Sequence, residues 1–430
     1  MYERLFAIAK NAFTEVTRQP IYGILVLIGM VCTAVSPVVA AYTFEDGGDI
    51  RLVVDMGLGT IFMVGLILGV LSASQVVSRE IEVKTAGTVI SKPVSRFVLL
   101  LGKFLGVSGA MWVAGYLLSV VMLLTVRIGV PSDISFKLDW PAFLGEVLPA
   151  VFAIGVGLYA NYFNRRNFPW TAVLMAVPSY ALAVLVLLLV GKDWDASGVQ
   201  CFSQHHAWPV ALAAVLVMLG VWVLSSVAVA VSTRLNVVSN IVVCCGVFFL
   251  GMVSHYMFGW AADASWGTWD VNYEGYVISG YAKGTDGEPL AGVHMSGLPG
   301  SVVTDRNGFY RVMVGKGGWG TVVPRRSAYV FRPIFLTYPV VEADITEQNY
   351  TAIRVAKGFG YAARVAGRWA AWTAYHALPS FQSFWVADQL NRPEPYVPVG
   401  YLGRAFAYAC LWCGSMVAFA AYLFEKREII

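Results

Sequence analysis

Charge is what this chain has least of. Asp, Glu, Lys and Arg make up 13% of its 430 residues, against 58% hydrophobic, too little to cover the surface of an ordinary globular domain. Several chemical signatures are absent as well. No G-x-x-x-x-G-K-[ST] phosphate cradle occurs, and the nearest stretch, VGKGGWGT, fails the spacing, which excludes ATP hydrolysis through a P-loop of the chain's own. No H-E-x-x-H pair occurs, which excludes that zinc-hydrolase arrangement. Glu146 is the only acid well inside an apolar run, so the carboxylate pairs that an intramembrane hydrolase or proton relay needs are missing. Six cysteines make no disulfide framework. Cys32, Cys244, Cys245, Cys410 and Cys413 lie in apolar runs, where a thiol behaves as a small apolar group. The redox-like spacing of Cys410 and Cys413 reads there as packing.

What the chain has in abundance is long uncharged stretches. Mean hydropathy is +0.65, and the apolar residues are gathered into eight runs: Ile21–Phe44, Met56–Ser78, Phe104–Val126, Pro141–Phe163, Asn167–Gly191, Ala207–Thr233, Leu235–Ala262 and Ala405–Phe424. A hydrocarbon core of about 30 Å is crossed by roughly 20 apolar residues in a helix. The pattern predicts a polytopic α-helical membrane protein of about eight spans, with spans one to seven over 21–262. The fourth is the weakest run, interrupted by Glu146 and Pro149. Lys and Arg concentrate in the segments that share a side with the N-terminus, among them Arg4, Lys10, Arg18, Arg96, Lys103, Arg165, Arg166 and Arg234. The positive-inside rule then places both termini in the cytoplasm. The net charge of +4 is accordingly a topology signal and does not indicate nucleic acid.

Residues 1–20 place Leu5, Phe6, Ile8, Phe13 and Val16 among charged residues at helical spacing. This predicts an amphipathic helix on the inner membrane surface, turning into the first span at Pro20, and not a cleavable signal peptide. From 270 to 356 the pattern changes to alternating runs, YEGYVISGYA, GVHMSG, GFYRVMV, GTVVP and YVFRPIF, separated by TDGEPLAG and TDRNG. That is the pattern of a small all-β sandwich inserted outside the membrane. Asp305 and Asn307 read as turn residues capping their own backbone rather than as calcium ligands. The positions Gly275, Asp286, Gly287, Gly292, Val293, Thr304, Asp305, Gly308 and Tyr310 resemble the turns and core of carboxypeptidase-regulatory-like, Ig-type modules of bacterial surface proteins. Residues 357–403, aromatic and Ala-rich, read as outer interfacial helices. The last span and a cytoplasmic tail fill 404–430.

The most unusual segment is SREIEVKTAGTVISKPVSRFVLLLGK, residues 78–103. Arg79, Glu80, Glu82, Lys84 and Thr85 continue the second helix out of the membrane. Pro93 breaks the helix, since it lacks an N–H and disfavours helix at the residue before it. Ser95 can then cap the next helix, which begins with Arg96. A solvated loop carrying positive-inside charge is one reading. A short elbow bearing both charge signs also suits a groove on a protein partner better than a lipid surface, which favours Lys and Arg alone.

The segment resembles the coupling elbow between spans two and three of ABC-2-type transporter permeases. The likeness is strongest to the branch that includes the maturation permease of nitrous-oxide reductase. IAKNAFTEVTRQPIYG, VVDMGLGTIF, LPSFQSFWVADQL and YLFEKREI resemble the same branch. The resemblance implies a permease subunit in a bacterial inner membrane, paired with a second permease, either a copy of itself or a related chain. Arg79, Glu80, Glu82, Lys84, Thr85, Pro93, Ser95 and Arg96 would dock a separate cytoplasmic ATPase, which uses the ATP; the chain itself binds no cofactor. The inserted β-module and eight spans, where six are usual, depart from the plain family pattern. A membrane-anchored scaffold that presents the β-module to periplasmic or surface partners is the alternative. Cys201, His205 and His206 come nearest to a metal-ligand set, and the copper-related branch draws attention to them. Adjacent histidines point apart, however, and no metal site is assigned.

Overall fold

Backbone N–H and C=O groups cannot go unpaired in hydrocarbon, so a long apolar run that enters it must become helix. The computed structural model describes residues 2–42, 49–78, 95–131, 137–204, 207–254, 275–296, 302–315, 320–326, 329–338, 343–354, 369–370, 372–374, 376–390 and 399–425. Its helices are α1 (Tyr2–Thr17), α2 (Pro20–Ala40), α3 (Asp49–Ala73, continued by one π-helical turn, Ser74–Ser78), α4 (Arg96–Ile128), α5 (Trp140–Asn164), α6 (Phe168–Leu189), α7 (Gly198–Gln204), α8 (Ala207–Ser232), α9 (Val237–Ser254), α10 (Ala387–Leu390) and α11 (Val399–Glu425). Eight of these, all but α1, α7 and α10, are long and apolar enough to cross a membrane. The chain is a polytopic helical protein with a separate β region, and it falls into two units: Met1–Phe249 with Phe381–Ile430, and Leu250–Ser380.

Within the helical unit, α3, α4 and α8 are the most buried spans, and α2, α5, α6, α9 and α11 present largely apolar outer faces. Helices in lipid gain little from hydrophobic burial against one another and depend on close packing. Two aromatic groups show this. Phe104 of α4, Trp222 of α8 and Phe406 of α11 stack with centroids 6.2 and 6.1 Å apart, and Trp222 Nε1 donates to Ser108 Oγ at 2.9 Å. Phe62 of α3, Phe248 of α9 and Phe381 meet at 4.6 to 6.2 Å. Phe381 and Phe384, in the stretch expected to lie in the outer interface, are buried. Phe384 packs beside Gly220 of α8. By contrast Trp369 and Trp372 are exposed.

Both features that weakened the fourth run sit inside one continuous helix. Pro149 lies within α5, and a nearby carbonyl, that of Glu146, accepts a hydrogen bond from Tyr180 Oη at 2.9 Å. The Glu146 side chain is buried and accepts from Thr125 Oγ1 at 3.4 Å, while Lys137 is exposed. α4 is longer than its apolar run: 33 residues, or about 50 Å, so it extends well past a hydrocarbon core of about 30 Å.

The β unit contains two four-stranded sheets. Its strands are β1 (Gly275–Gly284), β2 (His294–Ser296), β3 (Val302–Val303), β4 (Phe309–Gly315), β5 (Gly320–Arg325), β6 (Tyr329–Arg332), β7 (Leu336–Tyr338) and β8 (Tyr350–Arg354). The sheet orders are β4-β1-β8-β6 and β3-β2-β5-β7. Every pairing is antiparallel except β1 with β8, which run parallel with Ala282 opposite Tyr350. Ile278, Tyr310, Val312, Val314, Phe331 and Tyr350 from the first sheet share one core with Met295, Val322 and Tyr338 from the second. Burial suppresses ionisation of the three tyrosines, and Tyr338 is pushed up to about 12. Each hydroxyl has an acceptor: Tyr310 the Gln348 carbonyl at 2.7 Å, Tyr350 the Val322 carbonyl at 3.0 Å, and Tyr338 the Gln348 Oε1 at 3.1 Å. Asp305 caps its own turn, its Oδ1 accepting from the Asn307 and Phe309 N–H groups at 2.8 Å each. Gly308 closes that turn at φ +70°, where glycine carries no Cβ penalty.

Candidate functional site

Residues 79–94 lie outside the described residues, and with them Arg79, Glu80, Glu82, Lys84, Thr85 and Pro93 of the expected elbow. The structure describes the helix ends on either side of those residues, the two legs of the expected elbow. The first leg ends in the π-helical turn Ser74–Ser78. The second starts at Arg96, where Ser95 Oγ accepts from the Val98 N–H at 3.3 Å. Ser95 is thus the N-cap that its residue type predicts.

The legs are tied to each other. Lys103 Nζ donates to the Val76 carbonyl at 2.7 Å, and its side chain is buried. A π turn leaves carbonyls outside the regular helical ladder, and a buried ammonium next to one has at least that acceptor. On the far side of the first leg, Asn240 Nδ2 of α9 donates to Ser74 Oγ at 2.9 Å and to the Ala228 carbonyl at 3.1 Å. The second leg is clasped by α1. A Cβ at Gly106 would fall 2.5 Å from the Ala9 carbonyl oxygen, and one at Gly102 would fall 2.7 Å from Ile8 Cγ2. The two helices therefore meet nearly backbone to backbone, a contact that only small residues permit. A cavity of about 250 Å³ lies between α1 and these legs, lined by Ile8, Asn11, Glu15, Val76, Leu99 and Lys103.

At the other end of α4 is a buried ion pair. Arg127 Nε donates to Asp139 Oδ2 at 3.0 Å, with both side chains about 2% exposed or less. The remaining guanidinium nitrogens donate to the Leu187 and Val190 carbonyls at 2.7 and 2.8 Å, and the group lies 4.9 Å above the Phe202 ring. Asp139 also caps α5, its Oδ1 accepting from the Ala142 N–H at 3.0 Å. The ion pair therefore joins the end of α4, the start of α5 and the end of α6. The sequence reading did not name this node. A cation one residue from the end of a long apolar run, with an acid twelve positions later, was the available signal.

Cys201 of α7 is half-buried, its Sγ 3.8 Å from Ser197 Oγ. His205 and His206 lie outside the described residues, and among the described residues no group of three His, Cys, Asp or Glu side chains converges. In the adjoining turn Asp195 accepts from the Ser197 N–H at 3.1 Å and from its hydroxyl. Those two bonds hold its carboxyl below the usual range.

No family model, curated protein or solved structure matches the chain. The functional reading rests on the side chains above. Hydroxyls in the spans, such as Thr33, Thr125 and Ser226, donate to carbonyls of their own helix at 2.6 to 2.9 Å. Thr33 and Ser226 are occupied by the backbone in this way, whereas Thr125 Oγ1 also lies 3.4 Å from Glu146 Oε1. The contacts around α3 and α4 hold neighbouring helices against one another.

Proposed function

We propose that this chain is the membrane (permease) subunit of an ATP-driven transporter of the ABC-2 type. It works as a dimer, with a second copy or a related permease, over two separate cytoplasmic ATPase subunits. Each ATPase docks on the elbow formed by Arg79, Glu80, Glu82, Lys84, Thr85, Pro93, Ser95 and Arg96. The N- and C-termini are cytoplasmic, in keeping with the Lys and Arg bias of the loops, and the Ig-type β unit is outside.

The observation that carries this reading is the Lys103–Val76 bond at 2.7 Å, made between two helices that α1 and α9 also hold. A loop that merely connects spans needs no such bracing. Where both roots of a projecting segment are locked together, a push on that segment moves α3 and α4 as one rigid body, which is how domain movements are transmitted. The scaffold reading has one observation in its favour, the closed core of the β unit.

Affinity purification of the tagged chain from its own membrane, with mass spectrometry, separates the two. A stoichiometric P-loop ATPase that is lost in the Glu82→Arg/Arg96→Glu variant is the expected result. An ATPase retained by that variant moves the docking contact elsewhere. Outer partners without any ATPase refute the transporter reading and favour the scaffold.

A further inference from the structure

Three arginines stand together where α1 gives way to α2 and α5 turns into α6. Arg18, Arg165 and Arg166, with Asn167 and Trp170, line an open cavity of about 500 Å³. All three arginines are exposed, and among the described residues no carboxylate pairs with any of them. Three guanidiniums gathered around one space repel one another unless an anion lies between them. Arg165 holds its place against a conformational cost. It sits at φ +51° as the residue that ends α5, a left-handed position usually given to glycine or asparagine. Trp170 is held edge-on against Phe13 of α1 at 5.9 Å, so the wall of the cavity is fixed to the amphipathic helix.

A second cavity is lined by residues that neighbour those of the first in sequence. Two residues past Arg18 is Pro20, and next to Asn167 is Phe168; both line an apolar slot of about 250 Å³ that runs between α2, α5 and α6. Ile24 and Leu27 on its α2 edge are 55% and 46% exposed, so the slot opens sideways, toward the region that lipid chains occupy around a spanning helix. A cationic head site with a lateral apolar slot whose lining begins one or two residues away has the two-part chemistry of an anionic amphiphile. A soluble anion would use only the first part.

We infer that this groove binds one anionic phospholipid, its phosphate among Arg18, Arg165 and Arg166 and part of an acyl chain along Ile24, Leu27 and Phe168. Arginine matches phosphate oxygens with paired N–H groups, and Trp170 sits as aromatic side chains do at the headgroup level. The bound lipid joins α1 and α2 to the α5–α6 hairpin. The inference does not depend on transport, and its test does not use an ATPase.

The test is native mass spectrometry of the full chain in a neutral detergent, titrated with phosphatidylglycerol or with phosphatidylcholine of the same acyl chains. Inorganic phosphate serves as the headgroup-only competitor. Wild type should retain one phosphatidylglycerol, and phosphatidylcholine much less. Each Arg→Gln change at 18, 165 or 166 should weaken retention about fivefold, the worth of one cation near an anionic headgroup. Ile24→Trp, which fills the slot and leaves every arginine in place, should also weaken it. Because these side chains are exposed, the variants should keep the wild-type elution profile, and that is checked by size exclusion. Equal retention of the two lipids overturns the proposal, as does undiminished retention in the triple Arg→Gln variant. If inorganic phosphate displaces the lipid at equal concentration and Ile24→Trp has no effect, the site is one for free phosphate and the inference fails.

Discussion

The Arg127–Asp139 node allows a quantitative test of what holds the helical unit together. Replacing Asp139 with Ala removes the counter-ion from a guanidinium that is almost wholly buried, along with the cap on the Ala142 N–H. Breaking a buried pair by deleting one partner costs about 3–5 kcal/mol, because the remaining charge is left uncompensated. Loss of an N-cap adds about 1 kcal/mol. Asp139→Asn keeps a capping oxygen and discards the charge, so it should be milder than Asp139→Ala by about that last amount. The decisive construction is the double variant Arg127→Met/Asp139→Asn, which leaves no buried charge. Buried pairs replaced by apolar groups are often tolerated, so the double variant should be more stable than Asp139→Ala alone despite carrying one more change. Equilibrium unfolding of the full chain in mixed micelles of rising anionic-detergent fraction gives the comparison. If each single change costs under about 1 kcal/mol and the two simply add, the pair is screened like a surface pair. The reasoning from burial would then be refuted.

Two further predictions concern the β unit. At Gly280 an added Cβ would overlap the Gln348 carbonyl oxygen, a backbone atom that cannot swing aside. Gly280→Ala should therefore expose residues 275–354 to limited proteolysis while the helical unit stays resistant, and an unchanged digestion pattern would contradict that approach distance. Tyr338, raised from 10.0 to about 12 by burial, binds its proton more tightly in the folded chain than in the unfolded one. The stability it contributes is thus complete below pH 10 and is lost as pH rises toward 12. The difference in tyrosinate absorbance between wild type and Tyr338→Phe should titrate near the upper value, and a midpoint at the ordinary tyrosine value would show that the ring is solvated.

Much of the fold was legible because membrane spans are written in long, redundant runs. All eight runs correspond to helices, and the single-residue signals at Pro20 and Ser95 mark where α2 and α4 begin. What escaped was set by distant partners. Arg127 went unread because two of its acceptors are carbonyls of Leu187 and Val190, which carry no side-chain signature. Lys103 looked like one more cation on the side of the N-terminus, yet it is a buried donor to Val76 in the second turn of α4. The start of α3 at Asp49, seven residues before the apolar run, went unread because hydropathy marks the lipid boundary and not the helix boundary. In the β unit the strands and the Asp305 turn were readable locally. The parallel pairing of β1 with β8 was not, since contacts between strands about 70 residues apart leave no local pattern. Of the candidate site, sequence reasoning named the elbow, and the structure describes its roots.

That parallel pairing has a mechanical consequence. β1 is the first and β8 the last of the described strands, and they lie side by side pointing the same way, so the chain enters at one end of the pair and leaves at the other. Tension on the flanking segments pulls the two strands lengthwise past each other, and their ladder hydrogen bonds share the load together instead of opening one at a time. The Tyr310 and Tyr350 rings between the sheets lie behind that seam. An inserted domain wired in this way resists stretching along its own axis more than peeling from an edge, which makes it a strut in the chain that carries it.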